Sequence, residues 1–154
     1  EREEADMDDF EYARDRIMMG IERKALSVTD KERLCTAFHE AGHTVAAALT
    51  PLHNKIHKAT IAPRGGALGI TFFVPDDSDS LGMNKAKMIA RIDSAMGGHC
   101  AEELFIGKER VTSGCGSDLD AATKIATQAV NNLGMYGEDA GYISKDKKKI
   151  SERR

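Results

Sequence analysis

Thr36-Ala37-Phe38-His39-Glu40-Ala41-Gly42-His43-Thr44 places two histidines four residues apart, with a glutamate directly after the first. Side chains four apart on a helix stand one above the other on one face, so both imidazoles can reach a single ion. The flanking sequence supplies the helix. Thr29 followed by Glu32 reads as a capping box, Leu34, Ala37, Phe38, Ala41 and Val45 continue an apolar stripe, and Pro51 ends it, which predicts a helix over 30–49. Zinc suits neutral imidazole ligands in a tetrahedral site, and a catalytic site takes only three protein ligands so that water fills the fourth position. Glu40 would lie beside that water as a general base for attack on a peptide carbonyl, and could later return the proton to the leaving amine.

Outward from this helix the chain reads as mainly α with a small β-hairpin. Asp6 with Asp9 opens a first amphipathic helix over 6–24, on which Phe10, Ala13, Ile17, Met18 and Ile21 recur at helical spacing. Lys58 to Pro63 and Leu68 to Val74 flank Arg64-Gly65-Gly66 and predict a hairpin over 58–74. Pro75 and the acidic stretch from Asp76 to Ser80 end its second strand. Asn84 caps a long helix over 85–106, whose Gly97-Gly98 step predicts close approach of another backbone. Thr112 to Gly116 form a glycine-rich loop leading to Ser117 as cap of a helix over 118–133, closed by Gly134. These elements make one domain over 1–141, and 142–154 is expected to be a charged, flexible tail of a truncated domain.

Composition bounds the function. At 154 residues the chain is the size of a single domain, and seven methionines with no tryptophan suggest helices packed on aliphatic side chains. A net charge of −3 with mixed signs leaves no broad cationic face for nucleic acid, although Lys145 to Arg154 is locally basic. Cys35, Cys100 and Cys115 are odd in number and widely spaced, which points to free thiols in a reducing compartment. No apolar run approaches the roughly 20 residues that cross a bilayer, so membrane attachment would have to come from segments outside this chain.

A third ligand is required, and spacing alone leaves Glu102, Glu103, Asp118, Asp120, His99 and Cys115 open. Asp118 stands slightly ahead, because the start of a helix favours an ionised carboxylate. Glu102 or Glu103 could instead ligate the ion or accept a hydrogen bond that orients a histidine. His53 and His57 repeat the four-residue spacing but follow Pro51 and run into a strand, so they are expected at the surface. His99 is expected on a helix face and Cys115 as a small loop residue. The strand from Leu68 to Val74, through Gly69, Ile70, Thr71 and Phe72, could offer an edge along which extended substrate pairs by backbone hydrogen bonds.

Taken together, Phe38-His39-Glu40-Ala41-Gly42-His43, Ala59-Thr60-Ile61-Ala62-Pro63-Arg64-Gly65, Met96-Gly97-Gly98 with Ala101-Glu102-Glu103-Leu104, and Thr112-Ser113-Gly114-Cys115-Gly116-Ser117-Asp118-Leu119 resemble the peptidase domain of FtsH-type membrane-bound ATP-dependent zinc proteases. The resemblance covers about Phe10 to Gly141, and two of the motifs look closest to the mitochondrial i-AAA branch. It implies a helical zinc metallopeptidase domain holding one zinc per chain, with Asp118 as the third ligand. It also implies a parent protein of the mitochondrial inner membrane that carries an ATPase module, assembles as a homo-hexamer and degrades unfolded or membrane proteins. No Gly-x-x-x-x-Gly-Lys-[Ser/Thr] sequence occurs here, so ATP would belong to that module alone. Two other readings remain at this level: a zinc hydrolase using Glu102 or Glu103 as third ligand, and a non-catalytic hexamer-assembly module.

Overall fold

A computed structural model describes residues 4–76 and 82–142. Among these residues five α-helices and one antiparallel hairpin follow in the order α1 (Met7–Met19), α2 (Asp30–Leu49), β1 (Ile56–Thr60), β2 (Ile70–Phe73), α3 (Lys85–Phe105), α4 (Gly116–Asn131) and α5 (Gly137–Ala140). The mainly α architecture matches the sequence expectation. The predicted tail lies almost wholly outside the described residues.

Local chemistry sets most boundaries. At α1 the Asp9 amide donates to Asp6 Oδ1 and the Asp6 amide to Asp9 Oδ2. At α2 the Glu32 amide donates to Thr29 Oγ1 and the Thr29 amide to Glu32 Oε2. Each box satisfies two of the amides that a helix start leaves without partners. Asn84 caps α3 through the Lys87 amide. Helix α1 ends at Met19, five residues before the predicted Lys24, because Gly20 sits at φ +86°, outside the helical region. Helix α4 begins at Gly116, continuous with a 3₁₀ turn over Ser113–Cys115, so Ser117 lies inside the helix and does not cap it.

Helices α2 and α3 meet backbone to backbone. A Cβ added to Gly42 would come 2.2 Å from the Gly97 carbonyl oxygen, and one added to Gly97 would come 2.4 Å from that of Gly42. Any larger residue at this crossing would push the helices apart, and the crossing is what sets the histidines of α2 against α3. Helix α4 packs against α3, burying Ala122 and Ala129, while β1 and β2 lie against α2.

The apolar stripes expected on α1 and α2 are not the buried faces. Phe10, Ile17 and Ile21 are exposed, as are Leu34 and Val45. Helix α1 instead buries Asp15 and Met19, and α2 buries Glu40, His43 and Ala47. Hydrophobic periodicity failed here because polar groups with partners of their own occupy the inward positions.

Candidate metal centre

The inward face of α2 brings His39 Nε2 to 3.0 Å from His43 Nε2. From the first turn of α4, Asp118 Oδ2 approaches these nitrogens to 3.2 and 3.5 Å. The ring hydrogens of both imidazoles point elsewhere. His43 Nδ1 lies 2.8 Å from the Ser94 carbonyl oxygen on α3, and a carbonyl can only accept, so Nδ1 carries the hydrogen and Nε2 keeps its lone pair. His39 Nδ1 lies 2.8 Å from Glu102 Oε1. Burial opposes ionisation of Glu102, but the Thr112 amide, Cys115, His39 and the Thr112 hydroxyl together hold its carboxyl below the usual range, so it too accepts.

With both imidazoles neutral, two nitrogen lone pairs and a carboxylate oxygen therefore converge with no hydrogen between them. Asp118 Oδ2 is shielded from solvent and has no hydrogen-bond partner among the described residues. Three acceptors this close repel unless a cation or a proton joins them. The site's own electrostatics record that demand. The Asp118 carboxylate, close enough to accept a hydrogen bond from the protonated ring, raises the His39 pKa against the effect of burial. At His43, burial is the largest influence and lowers the value, yet Asp118 and the Ser94 carbonyl carry it above normal. Burial would raise the Asp118 carboxyl, but the two imidazoles depress it far below its ordinary range. Donors at about 2.0–2.1 Å in tetrahedral array lie about 3.3 Å apart, which is the scale of this triangle, and two imidazoles with a carboxylate are a zinc donor set. Gly98 leaves room for it, since a Cβ there would come 2.6 Å from His39 Cε1 and 2.7 Å from His43 Nε2.

A second triplet, His39 Nδ1, Glu102 Oε1 and Cys115 Sγ, is equally compact but already satisfied. Glu102 accepts the Thr112 amide at 2.6 Å and the Thr112 hydroxyl at 3.2 Å. Burial, then the hydrogen bond to Glu102 and its charge, pushes the Cys115 thiol up to about 12, so it stays protonated. This triplet orients His39 through hydrogens it already owns.

Glu40 is buried at the floor of an open cleft of about 870 Å³ that also contains the triangle of acceptors. Gly69, Ile70, Thr71 and Phe73 form one wall, and Ala121 and Ile125 of α4 another. The Phe72 ring stands edge-on to His57 and is not part of the cleft wall. His53, expected at the surface, lines the cleft with its ring against Phe73, and His57 is half-buried 3.5 Å from Asp15. Cys115 is fully buried. Glu103 is half-buried outside both triplets, Asp120 is exposed and paired with Lys124, and His99 is half-buried with Nδ1 covered. The roles of the Ser94 carbonyl and Thr112 had no sequence signal, since a backbone acceptor and a loop hydroxyl acquire function only from the crossing of α2 and α3.

The family model for peptidase family M41 matches residues 26–153. The mitochondrial inner membrane i-AAA protease supercomplex subunit YME1 of Saccharomyces cerevisiae is 50% identical over 139 residues, 90% of this chain and 18% of the relative. An ATP-dependent zinc metalloprotease FtsH of Buchnera aphidicola subsp. Baizongia pistaciae is 43% identical over 145 residues, 89% of this chain and 24% of the relative. An ATP-dependent zinc metalloprotease YME1 homolog of Schizosaccharomyces pombe is 45% identical over 130 residues, 84% of this chain and 18% of the relative. The chain thus spans about a quarter or less of the length of these relatives. No helix among the described residues is long and apolar enough to cross a membrane.

Proposed function

The chain belongs to peptidase family M41, and from that premise we propose that it is the zinc-dependent endopeptidase domain of a membrane-anchored AAA protease. The observation that carries the proposal is the convergence of three atoms able to ligate a metal, His39 Nε2, His43 Nε2 and Asp118 Oδ2, beside the carboxylate of Glu40. These three atoms would hold one zinc per chain. Glu102 serves as the acceptor that fixes His39, and its commitment to Thr112 and His39 argues against a ligand role.

Zinc bound there supplies Lewis acidity, making water a stronger acid and a substrate carbonyl a better electrophile. Glu40 would take the proton from the attacking water as the water oxygen bonds to the carbonyl carbon, and would then deliver it to the amine nitrogen as the C–N bond breaks. Strand β2 pairs only with β1 among the described residues, which leaves its other edge open along the cleft. An extended substrate would add there through main-chain hydrogen bonds, with little dependence on side chains. Gly69, Ile70, Thr71 and Phe72 are the segment for that pairing.

The parent protein, on this reading, is a homo-hexamer of the mitochondrial inner membrane that degrades unfolded or membrane proteins. ATP acts through a module outside this chain. Replacing Glu40 by Gln in the full-length protein is expected to abolish peptide hydrolysis while zinc stays bound at one per chain. Hydrolysis retained in that variant would refute the role of Glu40.

A further inference from the structure

Glu40 carries three rotatable side-chain bonds and would sweep a wide arc if nothing held it. Two contacts from one strand segment restrict it. The backbone at Gly69 lies directly on the side chain: a Cβ added there would come 2.8 Å from Glu40 Cγ, 2.9 Å from Oε1 and 2.6 Å from Thr36 Cγ2. Two residues on, the Thr71 hydroxyl lies 2.6 Å from Glu40 Oε2 and 3.2 Å from the Glu40 carbonyl oxygen. The hydroxyl has one hydrogen, and the shorter distance together with the carboxylate's charge directs it to Oε2. Residues 69 and 71 share a strand face, so one short segment of backbone delivers both contacts.

We propose that Thr71 is the positioning residue of the general base: its hydroxyl pins Glu40 Oε2 to strand β2 and leaves Oε1 to meet the attacking water. The inference rests on the reading of Glu40 as base, and goes beyond it by making the strand that receives substrate the same strand that aims the proton acceptor. Substrate pairing along the open edge of β2 and orientation of the base are then coupled through a single hydroxyl. The Thr71 hydroxyl acts on the reaction through Glu40, whereas the backbone of the same residue belongs to the segment that pairs with substrate.

The test uses the zinc-loaded full-length enzyme with a fluorogenic peptide, comparing Thr71→Val, Thr71→Ser and Glu40→Gln. Thr71→Val keeps the branched shape of the side chain and removes the hydroxyl, and Thr71→Ser keeps the hydroxyl. The expected result is a fall in kcat of about 10- to 100-fold for the valine variant, a part of the roughly 100- to 10,000-fold that general-base catalysis supplies, because the base remains and only its aim is lost. KM should stay within about twofold, and the serine variant should recover kcat to within about threefold. Zinc content, measured by atomic emission, should remain that of the parent protein in both. A rise in KM with kcat unchanged overturns the inference, because it places Thr71 in substrate binding alone. Loss of zinc with activity, an unchanged kcat in the valine variant, or failure of serine to rescue overturns it as well. Glu40→Gln separates the two levels: hydrolysis surviving there defeats the reading of Glu40 itself, whereas a dead glutamine variant beside a fully active valine variant defeats only the role of Thr71.

Discussion

Asp15 and Asp118 each carry a carboxylate oxygen shielded from solvent and lacking a hydrogen bond, yet their surroundings differ in one respect. Beside Asp15 the protein supplies the cation: Lys58 of β1 pairs with Oδ2, and His57 lies 3.5 Å from Oδ1. The Lys58 hydrogen bond holds the Asp15 carboxyl below its ordinary range despite burial, with Lys58 charge, His57 and Arg64 assisting. Beside Asp118 the neighbours are two imidazole nitrogens that arrive as lone pairs, because Ser94 and Glu102 engage the opposite ring nitrogens. One region is electrically complete as folded and ties α1 to the hairpin. The other has no side-chain ammonium or guanidinium bonded to its carboxylate among the described residues, and on the proposed reading a metal ion supplies the positive charge there.

The contrast breaks most severely at Asp118. Asp118→Asn is expected to reduce zinc from one per chain to near none and to bring peptide hydrolysis to background, read by metal analysis and a fluorogenic assay on the same samples. Full zinc occupancy in that variant would move the third ligand elsewhere. Glu102→Gln leaves the ligands in place but weakens the acceptor that fixes His39. Loss of such a partner costs about 10- to 100-fold in metal affinity, measurable by chelator competition.

At Asp15 the expected damage is to stability alone. Asp15→Asn should lower the unfolding free energy by about 1–3 kcal/mol, less than for a fully buried pair because Lys58 is 44% exposed. Zinc affinity should not change. The sign of the pH dependence follows from the depressed pKa of the folded state. Asp15 contributes stability above the ordinary carboxylate value of 3.8 and loses it as pH falls through the lower folded value. The parent and Asp15→Asn denaturation midpoints should therefore differ at neutral pH and converge on acidification. The smallest effect belongs to Asp120, an exposed carboxylate paired with Lys124 one turn away. Asp120→Asn is expected to leave the melting temperature and zinc content unchanged, so a carboxylate on α4 only two residues from Asp118 serves as the control.

The same contrast explains what the sequence disclosed. His39, Glu40 and His43 were legible because an i, i+4 pair on a capped helix has a fixed geometry that needs no tertiary information. The Gly97-Gly98 step announced a close backbone approach, and the structure places Gly42 opposite Gly97 and the two histidine rings opposite Gly98. Asp118 emerged from the residues as one of six candidates and only the resemblance singled it out, since α4 reaches the site through a loop whose path local propensity does not encode. Asp15 was hidden altogether: an aspartate between Phe10 and Met18 reads as the solvent side of an amphipathic helix, yet Lys58, forty-three residues away, turns that side inward. In the sequence Thr71 is one position on a strand, and its bond to Glu40 depends on how the hairpin lies across α2.

The most direct test is anomalous X-ray scattering at the zinc absorption edge from crystals of the metal-loaded protein. One peak per chain within about 2.0–2.2 Å of His39 Nε2, His43 Nε2 and an Asp118 carboxylate oxygen is the expected result. A peak between Glu102 and Cys115, or a stoichiometric zinc bound away from both imidazoles, would contradict the account.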